Sequence, residues 1–118
     1  MVHHEFTVPD DRELVELFGV ASEALDGVES TRLLRLVSEN DDEVHLVYDT
    51  PGRSIHLKWL RRGMCVVEIF REEAVRLSVE DDDGKAFVSI AFDSNSLFGE
   101  LRVQVRPRIW VSDRLLAR

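Results

Sequence analysis

The sequence predicts an α+β fold, with an N-terminal amphipathic helix packed on a strongly curved antiparallel β-meander of about six to eight strands. Two observations lead to this fold class. Apolar residues recur with a helical period near the N-terminus, and after Gly27 the period changes to two. Short alternating segments then follow one another, separated by turn residues. With 118 residues, we expect a single domain over 1–118, with a helix at about 9–26 and a sheet at about 31–112.

The helix is predicted from one apolar stripe and from residues suited to its two ends. Thr7 or Asp10 can cap the first turn, and Gly27 suits the left-handed position after the last turn. The stripe should cover one face of the sheet. Its members are Leu14, Leu17, Phe18, Ala21 and Leu25.

Two turns predict the register of four strands. Pro51-Gly52 lies in a four-residue loop, and Asp83-Gly84 is typical of a two-residue hairpin. In both cases apolar residues meet apolar residues, which supports the register. The predicted pairs are Tyr48 with Ile55, Leu46 with Leu57, Val44 with Trp59, Val79 with Val88, Leu77 with Ile90 and Val75 with Phe92.

Two further turns are assigned by eliminating registers that oppose apolar to charged residues. A three-residue loop at 61–63 opposes Trp59 to Cys65, and a similar loop at 71–73 opposes Ile69 to Val75. We expect Trp59, Val67 and Leu77 to be buried against the helix. Dimerisation is the alternative way to cover so wide a sheet. The five central strands are predicted at 44–48, 55–60, 64–70, 74–80 and 86–92.

The outer face of this predicted sheet carries the candidate catalytic residues His45, His56, Glu68 and Lys58. His56 should lie directly opposite Glu68, and His45 opposite Lys58. A His–Glu pair could orient an imidazole as a general base, and Lys58 could stabilise an anion. Cross-strand charge pairs are equally typical of a solvated sheet face, and no nucleophile motif accompanies these residues. Binding is therefore favoured over catalysis.

Motifs for metals and cofactors are weak. His45, His56 and Glu68 could supply three ligands, but the chain has no HExxH or CxxC motif. Carboxylates cluster at 81–84 without the spacing of a calcium loop. His3 and His4 lie at the terminus, where a specific role is not expected. We expect no metal and no cofactor.

The net charge of −8 is concentrated in the first half of the chain. Residues 1–50 hold 13 acidic and 3 basic side chains, a net charge of −10. This excess repels nucleic acid and favours encounter with a basic protein. Nucleic-acid binding is disfavoured, although Arg102, Gln104, Arg106 and Trp110 interleave basic and aromatic residues. The predicted partner-binding residues are Glu23, Asp26, Glu29, Glu39, Asp41, Asp42 and Glu43.

The remaining features suggest a cytoplasmic protein. The single cysteine, Cys65, excludes an intrachain disulfide. No stretch approaches the roughly 18 apolar residues of a membrane span. A small, acidic, motif-free domain is similar in general character to bacterial immunity proteins and secretion chaperones.

The favoured function is a non-catalytic domain whose acidic surface captures a basic protein, most concretely as an immunity- or antitoxin-type inhibitor or chaperone. One alternative is a small enzyme or ligand-binding domain that uses the His45/His56/Glu68 face. Another is a structural oligomerisation domain, such as a homodimer. If the acidity serves solubility only, the apolar edge near Met64 and Phe70 is the better interface candidate.

Overall fold

The computed structural model describes residues 5–118, and in this range it contains one short helix and nine strands. His3 and His4 lie outside the described residues. The predicted antiparallel meander is present, but it is divided between two sheets with the orders β1-β2-β3-β4-β5 and β6-β7-β8-β9. The elements are α1 (Asp11–Phe18), β1 (Glu23–Leu25), β2 (Val28–Val37), β3 (Glu43–Asp49), β4 (Ser54–Arg61), β5 (Met64–Arg71), β6 (Ala74–Asp82), β7 (Lys85–Asp93), β8 (Leu97–Arg106) and β9 (Trp110–Ala117).

The inner faces of the two sheets share one apolar core. Leu34, Leu46 and Leu57 from the first sheet and Ile90 and Leu101 from the second sheet are fully buried. Each such side chain contributes about 1.5–3 kcal/mol relative to an exposed one. The sheets therefore cover each other, and this replaces the predicted curved sheet wrapped around a helix.

The helix is shorter than the predicted 9–26. It has eight residues, and Asp10 caps its first turn by accepting a hydrogen bond from the Glu13 amide at 2.9 Å. It ends at Gly19, which adopts the left-handed conformation at φ 77°. The predicted helix end at Gly27 is wrong, because Asp26 and Gly27 both have positive φ and form the two-residue turn between β1 and β2.

The helix packs mainly on β6 and adds two side chains to the core. Leu14 and Phe18 are its buried residues. Arg106 of β8 donates a hydrogen bond to the Phe18 carbonyl at 3.0 Å, which satisfies a free acceptor at the helix C-terminus. At about 1.5 Å per residue, this helix spans about 12 Å. It is therefore too short to cover the face of a five-stranded sheet, as the longer predicted helix was expected to do.

The registers predicted from the two strongest turns are largely confirmed. All three predicted pairs between β3 and β4 are present. Between β6 and β7, Leu77 opposes Ile90 and Val79 opposes Val88 as predicted. The pairing of Val75 with Phe92 is wrong, because an irregularity between Ala74 and Arg76 places Ala74 opposite Phe92.

The predicted register between β4 and β5 is wrong by two residues. The turn contains two residues, Arg62 and Gly63, both at positive φ, and a bulge follows between Trp59 and Leu60. As a result, Trp59 opposes Val67 rather than Cys65. A bulge changes the register of the residues beyond it. The loop length alone therefore did not determine the pairing of these strands.

The predicted pairing of β5 with β6 is also wrong. After Arg71 the chain crosses to the second sheet, which β6 enters at Ala74. The Ala74 amide donates a hydrogen bond to the carbonyl of Arg53, just before β4 of the first sheet, at 3.0 Å. Strand β5 therefore ends the first sheet. Of the three residues expected to be buried against the helix, Leu77 is buried, but Trp59 and Val67 are only half-buried.

Candidate functional site

Three of the four candidate catalytic residues come together on the outer face of β4 and β5. His56 Nε2 lies 2.7 Å from Glu68 Oε2. The prediction that Glu68 lies directly opposite His56 is wrong. Glu68 lies opposite Lys58, and Phe70 lies opposite His56. The His56–Glu68 contact is therefore diagonal, which the spacing of neighbouring strands permits for long side chains.

His45 does not join this group. It lies opposite Lys58, as predicted, but its Nε2 atom is 3.3 Å from Glu43 Oε1 on its own strand. The two imidazoles therefore have separate carboxylate partners. Among residues 5–118, no group of three or more His, Cys, Asp and Glu side chains is placed to hold a metal ion.

The His56–Glu68 pair is accessible to solvent, since the two side chains are 33% and 54% exposed. The Phe70 ring meets the His56 ring edge-on, with centroids 6.0 Å apart. Such a pair can orient an imidazole. Its position beside an exposed aromatic ring on an open sheet face is also typical of a protein contact surface.

Strand β5 presents a row of exposed apolar side chains at the end of the first sheet. Met64 is 71% exposed, Phe70 68% and Val66 48%, and Phe70 lies on the same outward face of the strand as Glu68. We call Met64, Val66, Glu68 and Phe70 the β5 patch. An end strand with apolar side chains is a surface on which another chain can dock. Alternation with the inward-facing Val67 and Ile69 is the sequence signal for this patch.

The predicted acidic residues are divided between the two ends of β2. Asp26 and Glu29 lie at or beside the β1–β2 turn, whereas Glu39 and Asp41 lie in the β2–β3 turn. Glu23 lies on β1 opposite Leu33, near the middle of β2. The ten residues of β2 separate these turns by about 33 Å at 3.3 Å per residue. The acidic residues therefore form two regions rather than one continuous surface.

Asp42 belongs to neither acidic region, because it is buried with 5% of its surface exposed. Its carboxylate accepts hydrogen bonds from Trp59 Nε1 at 3.1 Å and from Arg61 Nε at 3.2 Å. Its carbonyl accepts from the Ser38 amide at 2.9 Å. Asp42 thus stabilises the β2–β3 connection and is not available to a partner.

Two of the other acidic residues also have partners within the chain. Glu29 pairs with Arg32 at 2.9 Å, and Glu43 contacts His45. Glu23, Asp26, Glu39 and Asp41 are exposed and form no ion pair within residues 5–118.

A further acidic region was not predicted from the sequence. Glu13 and Glu16 of α1 and Glu80 and Asp81 of β6 line a cleft of about 300 Å³, with Leu17 in its wall. The helix and the hairpin are distant in sequence, and only the packing of α1 on β6 brings them together. The negative charge is thus spread over several parts of the surface.

The fold is similar to that of a known structure. No protein-family model matches the chain, and no curated protein matches it. A chain in a structure described as a contact-dependent growth inhibition toxin–immunity protein complex from Klebsiella pneumoniae 342 superposes with a TM-score of 0.81. The match covers 97% of this chain and 100% of that chain, at 11% sequence identity.

This likeness concerns the whole architecture. It spans both sheets and the helix, since nearly all of each chain is covered. At 11% identity, it shows a shared fold and transfers no residue's role to this chain. Within residues 5–118 the structure has no helix with the length and apolar character that a bilayer crossing requires.

Proposed function

We propose that this chain is an immunity-type inhibitor, a non-catalytic domain that binds a toxin protein. The observation that carries the proposal is the fold match over 97% of the chain to a structure of a toxin–immunity protein complex. The description of that structure names two proteins in one complex. A fold shared over its whole length therefore supports a protein partner for this chain.

The β5 patch is the proposed contact surface. Exposed aromatic residues and methionine are enriched at the centres of protein interfaces, and Met64 and Phe70 are exposed here by more than two thirds. The free edge of β5 can also pair with an extended segment of the partner through backbone hydrogen bonds. His56, Lys58 and Glu68 add polar groups around the apolar centre, as at the rim of known interfaces.

The proposed partner is basic. Carboxylates without an ion pair in residues 5–118 lie at the ends of β2 and around the α1–β6 cleft, and they produce a negative field around a chain of net charge −8. They are Asp26, Glu39 and Asp41 at the ends of β2, and Glu13, Glu16 and Asp81 at the cleft. Such a field accelerates the approach of a positively charged protein. In this proposal the acidic regions increase the association rate, and the β5 patch holds the complex together.

The proposal predicts that a toxin domain is encoded beside the gene for this chain, and that domain is the test partner. The chain and that domain are co-expressed with an affinity tag on the toxin only, and growth and co-purification are measured. We expect restored growth and a stable complex. The proposal is wrong if the toxin domain remains lethal and does not retain this chain.

The catalytic and oligomeric alternatives are tested in the same system. The His56→Ala variant should still protect cells and form a lasting complex with the toxin domain, with at most a small loss of affinity, because a residue at the rim of an interface contributes little. Light scattering on the purified chain measures whether it is a monomer before binding. A toxin whose neutralisation requires the His56 imidazole and turnover, without a lasting complex, would favour the enzyme hypothesis instead.

A further inference from the structure

A pocket lies on the outer face of the second sheet, at the β8–β9 edge. Its volume is about 340 Å³, near the lower limit of about 300 Å³ for pockets that bind small molecules. Its walls come from outward-facing residues of adjacent strands, where Arg102 lies opposite Ser112 and Gln104 lies opposite Trp110. The β5 patch belongs to the other sheet, so this pocket is a separate feature.

Arg102 lines the pocket, and its guanidinium is held by two contacts. Its guanidinium carbon lies 3.9 Å from the centroid of the Phe87 ring, and its Nη2 atom donates to Glu80 Oε1 at 2.5 Å. The Nε atom of Arg102 is buried and has no hydrogen-bond partner within residues 5–118. The Nη1 atom of Arg102 forms no hydrogen bond within residues 5–118 and is not buried, so it is the donor left for an oxyanion in the pocket.

Arg114 supplies a second guanidinium. It lies opposite Glu100 on β8 but forms no ion pair with it or with any other residue in the range 5–118. Ser112 lies two residues before it on the same face of β9 and adds a hydroxyl to the lining. A guanidinium fork with a neighbouring hydroxyl matches the geometry of a carboxylate or phosphate.

Trp110 provides a flat apolar wall. It is 69% exposed although it lines the pocket. Beside it, the side-chain nitrogen of Gln104 donates a hydrogen bond to the Arg108 carbonyl at 2.8 Å. This bond fixes the Gln104 side chain and leaves its Oε1 atom as an acceptor. An exposed indole favours stacking with a planar ring.

We propose that this pocket binds a small planar anion in which a phosphate or carboxylate is attached to an aromatic ring. The oxyanion contacts Arg102 and Arg114, and the ring stacks on Trp110. Glu100 also lines the pocket, and its carboxylate opposes the anion. Removing that charge should therefore strengthen binding, whereas a pocket of purely structural importance would not respond in this way.

The test uses two-dimensional NMR of the ¹⁵N-labelled chain, whose two tryptophans give separate indole signals. The probes are 5′-AMP and indole-3-acetate, which carry a phosphate and a carboxylate respectively, together with inorganic phosphate alone. We expect a saturable shift of the Trp110 signal, with the Trp59 signal as an internal control. The two ring-bearing probes distinguish the phosphate source from the carboxylate source.

Charge variants decide whether the pocket is the binding site. Arg114→Gln should weaken binding of the better probe by about tenfold or more, since it removes a charged hydrogen bond, and Glu100→Gln should strengthen it. Arg12→Gln on α1 is the matched control and should change nothing. Absence of any saturable Trp110 shift at millimolar probe, an affinity unaffected by Arg114→Gln, or equal affinity for inorganic phosphate alone would each overturn the proposal.

Discussion

The guanidinium of Arg71 holds both carboxylate oxygens of Asp113, with Nη1–Oδ1 and Nη2–Oδ2 distances of 2.7 and 2.6 Å. This bidentate pair joins β5 of the first sheet to β9 of the second. The Arg71 guanidinium also lies 4.9 Å from the centroid of the Phe92 ring. The two sheets are thus connected by a directional contact as well as by the apolar core.

Removing either partner of this pair should destabilise the fold. Arg71→Ala or Asp113→Ala should lower the free energy of unfolding by about 1–3 kcal/mol, because the remaining charge is left without its hydrogen bonds. The double variant should cost less than the sum, as expected for coupled residues. Urea denaturation of the four proteins measures this. Strictly additive effects would show that the pair contributes no interaction energy.

Asp42→Ala should destabilise the fold by about 1–3 kcal/mol, because the half-buried Trp59 indole loses its acceptor. Asp41→Asn is the matched control. Asp41 is exposed at φ 68°, a conformation that asparagine tolerates. Thermal unfolding should show a lower midpoint for the first variant alone. Equal midpoints would contradict the structural role of Asp42.

The stability of the protein should decline at high pH through Tyr48. Burial raises the pKa of the Tyr48 phenol above its ordinary value of 10.0. The unfolded chain therefore loses this proton first, and stability falls as the pH rises through the unfolded value towards the folded one. Tyr48→Phe should show a smaller decline over the same range. Tyr48 is the only tyrosine, so tyrosinate absorbance follows its ionisation, and identical declines in both proteins would refute this assignment.

The parts of the fold that were predicted correctly are those with a local chemical signal. Pro51-Gly52 and Asp83-Gly84 mark turns, and the register of the adjoining strands followed from them. The division into two sheets could not be predicted in this way. Alternation indicates which side of β5 and β6 faces the core, but both a single curved sheet and two facing sheets satisfy it.

In the candidate site too, contacts that depend on strand register could not be predicted reliably from local sequence signals. The diagonal contact of His56 and Glu68 exists despite the wrong register, because a shift by two residues keeps each side chain on its face. The opposition of Arg102 to Ser112 and of Gln104 to Trp110 depends on the β8–β9 register. The register between these two strands was not predicted from the sequence, so this pocket was not anticipated.

The acidic side chains on β1 and in the β2–β3 turn should control the rate of binding to a basic partner. The double variant Glu23→Lys, Glu39→Lys should associate more slowly and with weaker salt dependence, since electrostatic steering is screened beyond about 10 Å at 0.1 M salt. Its stability should change by less than about 0.5 kcal/mol, because both residues are exposed. Stopped-flow association at several salt concentrations provides the measurement.

A control of equal charge distinguishes local steering from net charge. Glu72→Lys with Glu73→Lys reverses two acidic residues in the connection between β5 and β6, although Glu73 also loses its pair with Arg53. If this control slows association as much as the changes on β1 and in the β2–β3 turn, only the total charge matters. No effect of salt on the wild-type rate would mean that the acidity serves solubility.

The β5 patch should determine the lifetime of the complex. Phe70→Lys should weaken toxin binding by more than about tenfold, mainly through faster dissociation, because it places a charge at the apolar centre of the proposed contact. Folding stability should remain close to that of the parent, since Phe70 is largely exposed.

Leu116→Lys on β9 is the matched control, because Leu116 is 55% exposed and the variant adds the same charge. Surface plasmon resonance with immobilised toxin domain gives both rates. If Leu116→Lys weakens binding as much, or if Phe70→Lys binds normally, the contact surface lies elsewhere than on β5.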